Sequence, residues 1–179
     1  MNINMNLPNK LTVLRILMVP LFVLFMLAPF AQNLAGTIIA FILFVGASFT
    51  DMLDGKIARK YDLVTNFGKF MDPLADKLLV TAAMLIFVQW NRMPSWAVMV
   101  VLAREFAVSG LRMVAATGGK VMAAGWSGKV KTFATMVGLC VMMVLPYAWI
   151  DWTVTIVIVV TTLYSGVEYF VQNWNVIKP

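Results

Sequence analysis

The chain has 179 residues, 61% of them hydrophobic and only 12% charged, with fourteen Lys and Arg against eight Asp and Glu. A soluble globular domain is about one quarter charged, so this composition excludes an ordinary water-facing fold and points to a single all-α, polytopic domain in lipid. The absence of histidine excludes histidine ligands and histidine-based triads, and the single cysteine, Cys140, permits no internal disulfide.

A helix crosses the hydrocarbon layer with about 20 apolar residues. The first span is expected from about Leu11 to Phe30, kinked at Pro20. It outruns a signal peptide's apolar core and lacks a cleavage site, so it reads as a span that stays. The second runs from about Leu34 to Thr50 and continues as helix into Asp51–Arg59. The third and fourth are less clean, because Lys77, Arg92 and Arg104 interrupt them; they are expected as full helices over Phe70–Gln89 and Ser95–Thr117, with charged ends facing a polar cavity. Gly118, Gly119, Gly125 and Gly128 mark the next loop. The fifth span is expected over about Thr132–Ile150 and the sixth over Trp152–Val171. Gln32–Asn33, Asn91–Pro94 and the Pro146/Asp151 region mark turns on the opposite side.

With these six transmembrane helices, thirteen of the fourteen basic residues fall on one side and only Arg92 on the other. That bias puts both termini in the cytoplasm and gives that face an attraction for anionic membrane lipids rather than nucleic acid. Trp90, Trp96, Trp149 and Trp152 gather near the outer turns, as an interfacial belt does.

The chemistry sits at the cytoplasmic end of the second span, in Asp51-x2-Asp54-Gly55-x2-Ala58-Arg59-x8-Gly68-x3-Asp72-x3-Asp76. On a helix Asp51, Asp54, Gly55 and Ala58 share one face, and so do Gly68, Asp72 and Asp76. Residues 61–67 between them are few enough to return the chain antiparallel. Four converging carboxylates need compensation. All-oxygen donors suit Mg²⁺ or Mn²⁺, and two divalent ions would neutralise four charges and clamp a diphosphate. Gly55, Ala58 and Gly68 carry no bulk that would keep a flat ligand such as a base from the backbone. Solvated aspartates paired with Lys56, Arg59, Lys69 and Lys77 are the plainer alternative; the number, spacing and adjoining glycines favour a site.

At all eight of its positions this stretch resembles the signature of the CDP-alcohol phosphatidyltransferase family, whose six-helix architecture fits the whole chain, residues 1–179. The resemblance implies that Asp51, Asp54, Asp72 and Asp76 bind two metal ions. It also implies that Asp54, Gly55, Ala58 and Gly68 line the cytidine site of a CDP-lipid, with Arg59 near the diphosphate. Asp76 would be the general base, its basicity kept modest by neighbouring cations. A homodimer is expected on the same ground.

The acceptor is signalled elsewhere. Arg104 and Arg112 lie two turns apart on the fourth span and could reach one oxyanion with fork geometry. Lys129 and Lys131, beside Thr132 at the start of the fifth, suit an anion at a helix N-terminus. Both segments, and Asn9, Thr12 and Arg15 at the opening, resemble the phosphatidylglycerophosphate synthase branch, which implies CDP-diacylglycerol as donor and sn-glycerol 3-phosphate as acceptor. Asn9, Thr12 and Arg15 could approach the nucleotide from the first helix. Rival readings are another acceptor such as inositol phosphate, a membrane prenyltransferase, and a divalent-cation transporter.

Overall fold

The computed structural model describes residues 7–28, 33–60, 66–117 and 125–174, and side chains within these except at 7–8, 51–60, 66–70, 72–73 and 116–117. All regular structure among them is helical. The elements are α1 (Leu7–Leu27), α2 (Leu34–Lys60), α3 (Asn66–Gln89), α4 (Ser95–Thr117), α5 (Trp126–Val144) and α6 (Ala148–Gln172). They fall into two compact units, Met1–Ile86 and Phe87–Pro179.

In the first unit α1 packs on α2. The buried positions of α1, Asn9, Thr12, Arg15, Val19, Phe22 and Met26, recur every three or four residues and make one stripe. Ala40, Phe44 and Ala47 form the matching stripe on α2, and the Phe22 and Phe44 rings meet at 5.7 Å between centroids. Helix α2 starts cleanly because the Asn33 side-chain carbonyl accepts from the Gly36 N–H at 2.8 Å, an N-cap closing on the third helical residue. It then runs without a break through Asp51–Arg59, as its periodicity suggests. Helix α1 begins at Leu7, before the expected Leu11, and stops at Leu27 rather than Phe30. In the polar start Asn9 and Thr12 are turned inward and Lys10 outward, so the segment continues the buried stripe of the helix. The end is set by Pro29, which disfavours helical backbone at Ala28.

In the second unit α6 packs against both α5 and α4. The buried residues of α6 include Asp151, Thr155, Ile158, Thr162, Ser165 and Tyr169, a regular four-three alternation. The opposite face exposes Trp152, Ile156, Val160, Leu163, Val167 and Val171. Polar inside and apolar outside is the inverse of a soluble bundle, and it suits lipid, where association is driven by close packing and interhelical hydrogen bonds. Gly138 shows the closeness: a Cβ there would lie 2.7 Å from Val154 Cγ1.

Two boundaries correct the reading from sequence. Helix α5 runs over Trp126–Val144 rather than Thr132–Ile150, so Gly128 is inside a helix and not in the loop. It ends at Val144 because Leu145, held extended before Pro146, cannot continue it. Asp151 is correspondingly in the first turn of α6, not in the turn before it. Helix α4 has the expected bounds, and α3 begins at Asn66, four residues early. Its end is a Schellman motif. Asn91, at φ 56°, donates to the Val88 carbonyl, and Arg92 donates to that of Phe87 at 2.9 Å.

Among the described residues three helical segments are long and apolar enough to cross a membrane: Asn9–Leu27, Trp126–Val144 and Ala148–Gln172. Leu34–Thr50 is a shorter apolar stretch. Gly118, Gly119, most of the segment 61–67 and Lys178 lie outside the described residues.

Candidate functional site

The residues expected for the donor lie in the first unit. Asp51, Asp54, Gly55, Ala58 and Arg59 lie on the continuous helix α2, and Gly68, Asp72 and Asp76 on the continuous helix α3. Helical backbone at these positions preserves the i, i+3 and i, i+4 spacings that put each pair of aspartates on one face. That all-oxygen donor set fits hard divalent cations. Of these residues only Asp76 lies within the described side chains; it is half-buried, next to buried Ala75 and one turn before buried Leu79.

The turn leading into Asp51 is tied to α1. Arg15 Nε donates to the Ala47 carbonyl at 3.2 Å, and Thr50 Oγ1 donates to the same oxygen at 2.7 Å. Ala47 precedes Asp51 by one helical turn, so the guanidinium of α1 braces the segment that carries the first aspartate pair. Asn9 and Thr12 share that buried stripe with Arg15.

The residues expected for the acceptor lie in the second unit. The Arg104 guanidinium donates to Ser165 Oγ at 2.6 Å and lies 3.1 Å from Glu105 Oε1. Two glycines make room for it. A Cβ on Gly128 would lie 3.5 Å from Arg104 Nη2, and one on Gly166 3.2 Å from Arg104 Cγ. Lys131, 5% exposed, donates from Nζ to the same Glu105 oxygen at 2.5 Å. Two cations from different helices therefore meet on one carboxylate. Among the described residues the Arg104 Nε–H is buried without a hydrogen-bond partner. A buried orphan donor calls for an acceptor that the described residues do not supply there.

The other two basic candidates go elsewhere. Arg112 is exposed, donates from Nε to Tyr169 Oη at 3.0 Å and lies over that ring. Lys129 is exposed, while Lys131, two residues on, is turned into the bundle. Arg104 and Arg112 thus dock at Ser165 and Tyr169, successive turns of α6, instead of converging. Sequence reasoning passed over Glu105, Ser165 and Gly166. The available signal was the four-three recurrence of polar residues through the apolar sixth span.

Comparison with known proteins shows the family. The family model described as CDP-alcohol phosphatidyltransferase matches residues 5–164. The chain is 46% identical to a CDP-diacylglycerol–glycerol-3-phosphate 3-phosphatidyltransferase of Bacillus subtilis, over 97% of each chain. It is 41% identical to the enzyme of that name from Rickettsia felis, over 80% of this chain and 77% of the relative. It is 36% identical to a probable phosphatidylglycerophosphate synthase of Mycobacterium tuberculosis, over 92% and 79%. These matches set aside the prenyltransferase and transporter readings: the chain belongs to the CDP-alcohol phosphatidyltransferase family and is a phosphatidyltransferase of phospholipid biosynthesis.

Proposed function

We propose that the chain transfers the phosphatidyl group of CDP-diacylglycerol to sn-glycerol 3-phosphate, giving phosphatidylglycerol phosphate and CMP. The names of the relatives support both substrates. The observation that carries the acceptor is the pair of largely buried cations, Arg104 and Lys131, which suits a phosphate-bearing alcohol better than serine or choline.

Asp51, Asp54, Asp72 and Asp76 hold two divalent cations, Mg²⁺ or Mn²⁺. When bound, these ions offset the charge of the donor diphosphate. Asp54, Gly55, Ala58 and Gly68 take the cytidine, Arg59 lies by the diphosphate, and Asn9 and Thr12 support the donor from α1. Asp76 receives the proton of the acceptor's primary hydroxyl as that oxygen attacks the phosphorus bearing diacylglycerol. The bond from that phosphorus to the CMP oxygen breaks, and CMP leaves. Arg104 and Lys131 hold the acceptor phosphate and so fix the direction of attack, while Lys129 and Arg112, which do not converge on that pair, add only to the positive charge of the same face. The setting is a single six-span domain in the cell membrane, both termini and the active site facing the cytoplasm, working as a homodimer.

The test is CMP release by purified protein in detergent, with Mg²⁺ or Mn²⁺, CDP-diacylglycerol and one acceptor at a time. Release with glycerol 3-phosphate is expected; release with inositol phosphate alone would move the acceptor assignment and leave the donor chemistry standing. Asp76→Asn should cut turnover by roughly 10²–10⁴-fold, the usual worth of a general base. It should keep more CDP-diacylglycerol binding than Asp51→Asn, measured by nucleotide-lipid titration. Equal loss of donor binding in the two variants contradicts the role given to Asp76.

A further inference from the structure

Glu105 presents an unusual arrangement for a phosphate site. One of its oxygens takes both cations, Lys131 Nζ at 2.5 Å and Arg104 Nη1 at 3.1 Å, so an anion already occupies the place that a phosphate oxygen would fill. All three side chains are largely buried, with 16% of the Glu105 side chain accessible against 12% and 6% for its partners. Interactions between charges in such surroundings are strong. The acceptor phosphate is not altered by the proposed reaction. The product carries it unchanged, and the cations that capture the substrate hold the product equally well. Binding that is uniform along the reaction captures substrate at low concentration and slows release.

We propose that Glu105 is a resident counter-anion: it competes with the phosphomonoester of acceptor and product for Arg104 and Lys131, keeps the two cations together in the empty site, and promotes product release. The inference rests on the acceptor-phosphate reading given above. Glu105 is in these terms a positioning residue, acting through the two cations and not on the reacting atoms.

Glu105→Gln removes the competing charge and preserves the side chain's size. The expected result is a KM for glycerol 3-phosphate and an inhibition constant for inorganic phosphate both lower by about tenfold, the effect of one removed charge in a partly screened site. Inhibition by phosphatidylglycerol phosphate should tighten in parallel, kcat should fall as release slows, and the KM for CDP-diacylglycerol should not move. Loosened packing does the opposite to acceptor affinity, so an unchanged or raised KM and phosphate inhibition constant overturns the proposal. If Glu105→Gln does not fold, Glu105→Asp, whose shorter carboxylate reaches the cations less well, must show the same tightening in smaller measure; without it the proposal falls. Lys131→Met and Arg104→Lys separate the two levels. If they raise the KM for glycerol 3-phosphate and the Glu105 variants do not lower it, only the counter-anion is lost. If they leave that KM unchanged, the acceptor-phosphate site and the counter-anion are overturned together.

Discussion

Arg92 shows how much one side chain can organise. Its guanidinium meets both oxygens of Asp151, at 2.9 and 2.7 Å, and donates to the carbonyls of Met142 and Leu145 at 2.6 and 3.2 Å. It also lies over the Phe87 ring. One planar fork thus links the turn after α3, the last carbonyls of α5 and the acidic first turn of α6. A carboxylate in that first turn is also favoured by the helix dipole. Arg92→Met leaves Asp151 buried and unpaired and should cost about 3 kcal/mol, seen as a lower thermal midpoint in detergent. Adding Asp151→Leu should restore part of the loss but not all, because the two carbonyls still lack a donor. From sequence Arg92 was only the one basic residue on the outer side; its partner is 59 positions away, and nothing local announces it. The same limit hid Glu105 and Ser165. The fourfold aspartate pattern was legible because its spacing is local, whereas the Arg104–Ser165 bond spans 61 positions.

At the scale of elements, periodicity and turn residues located all six helices and misplaced the ends of some. The fifth span is expected from about Thr132, with Lys129 and Lys131 at its start. The carboxylate of Glu105 pairs with Lys131 within the bundle, and the helix starts six residues earlier than expected. The seam between α5 and α6 depends on Gly138. Gly138→Ala forces a methyl group against Val154, a β-branched side chain with little freedom to yield, and should cost about 1–2 kcal/mol. The double variant Gly138→Ala/Val154→Ala should recover most of it. Thermal unfolding of the three proteins in one detergent checks this; equal midpoints would mean that the helices part at no cost.

At the scale of the whole chain, composition gave the membrane class and the signature gave the family, while the acceptor had to be argued from a few cations. The proposed topology has a direct check. In a Cys140→Ala background, an impermeant maleimide should label Ser95→Cys on intact cells and Trp174→Cys only after lysis. Both positions are exposed on the protein surface, and labelling of both after lysis separates sidedness from burial. Labelling of both from outside would reverse or reduce the assigned spans.

The ion pair between the turn after α3 and the first turn of α6 also imposes an order of assembly. At about 5–20 residues per second, roughly 3–12 seconds separate the synthesis of Arg92 from that of Asp151. For most of that interval the guanidinium has neither partner, because the α5 carbonyls follow it by 50 and 53 positions and the carboxylate by 59, so it must remain in the aqueous boundary while α4 and α5 are made. The turn between α3 and α4 is finished only when the last helix arrives. A chain truncated before α6 therefore carries a strongly hydrated charge where the complete protein carries a lock.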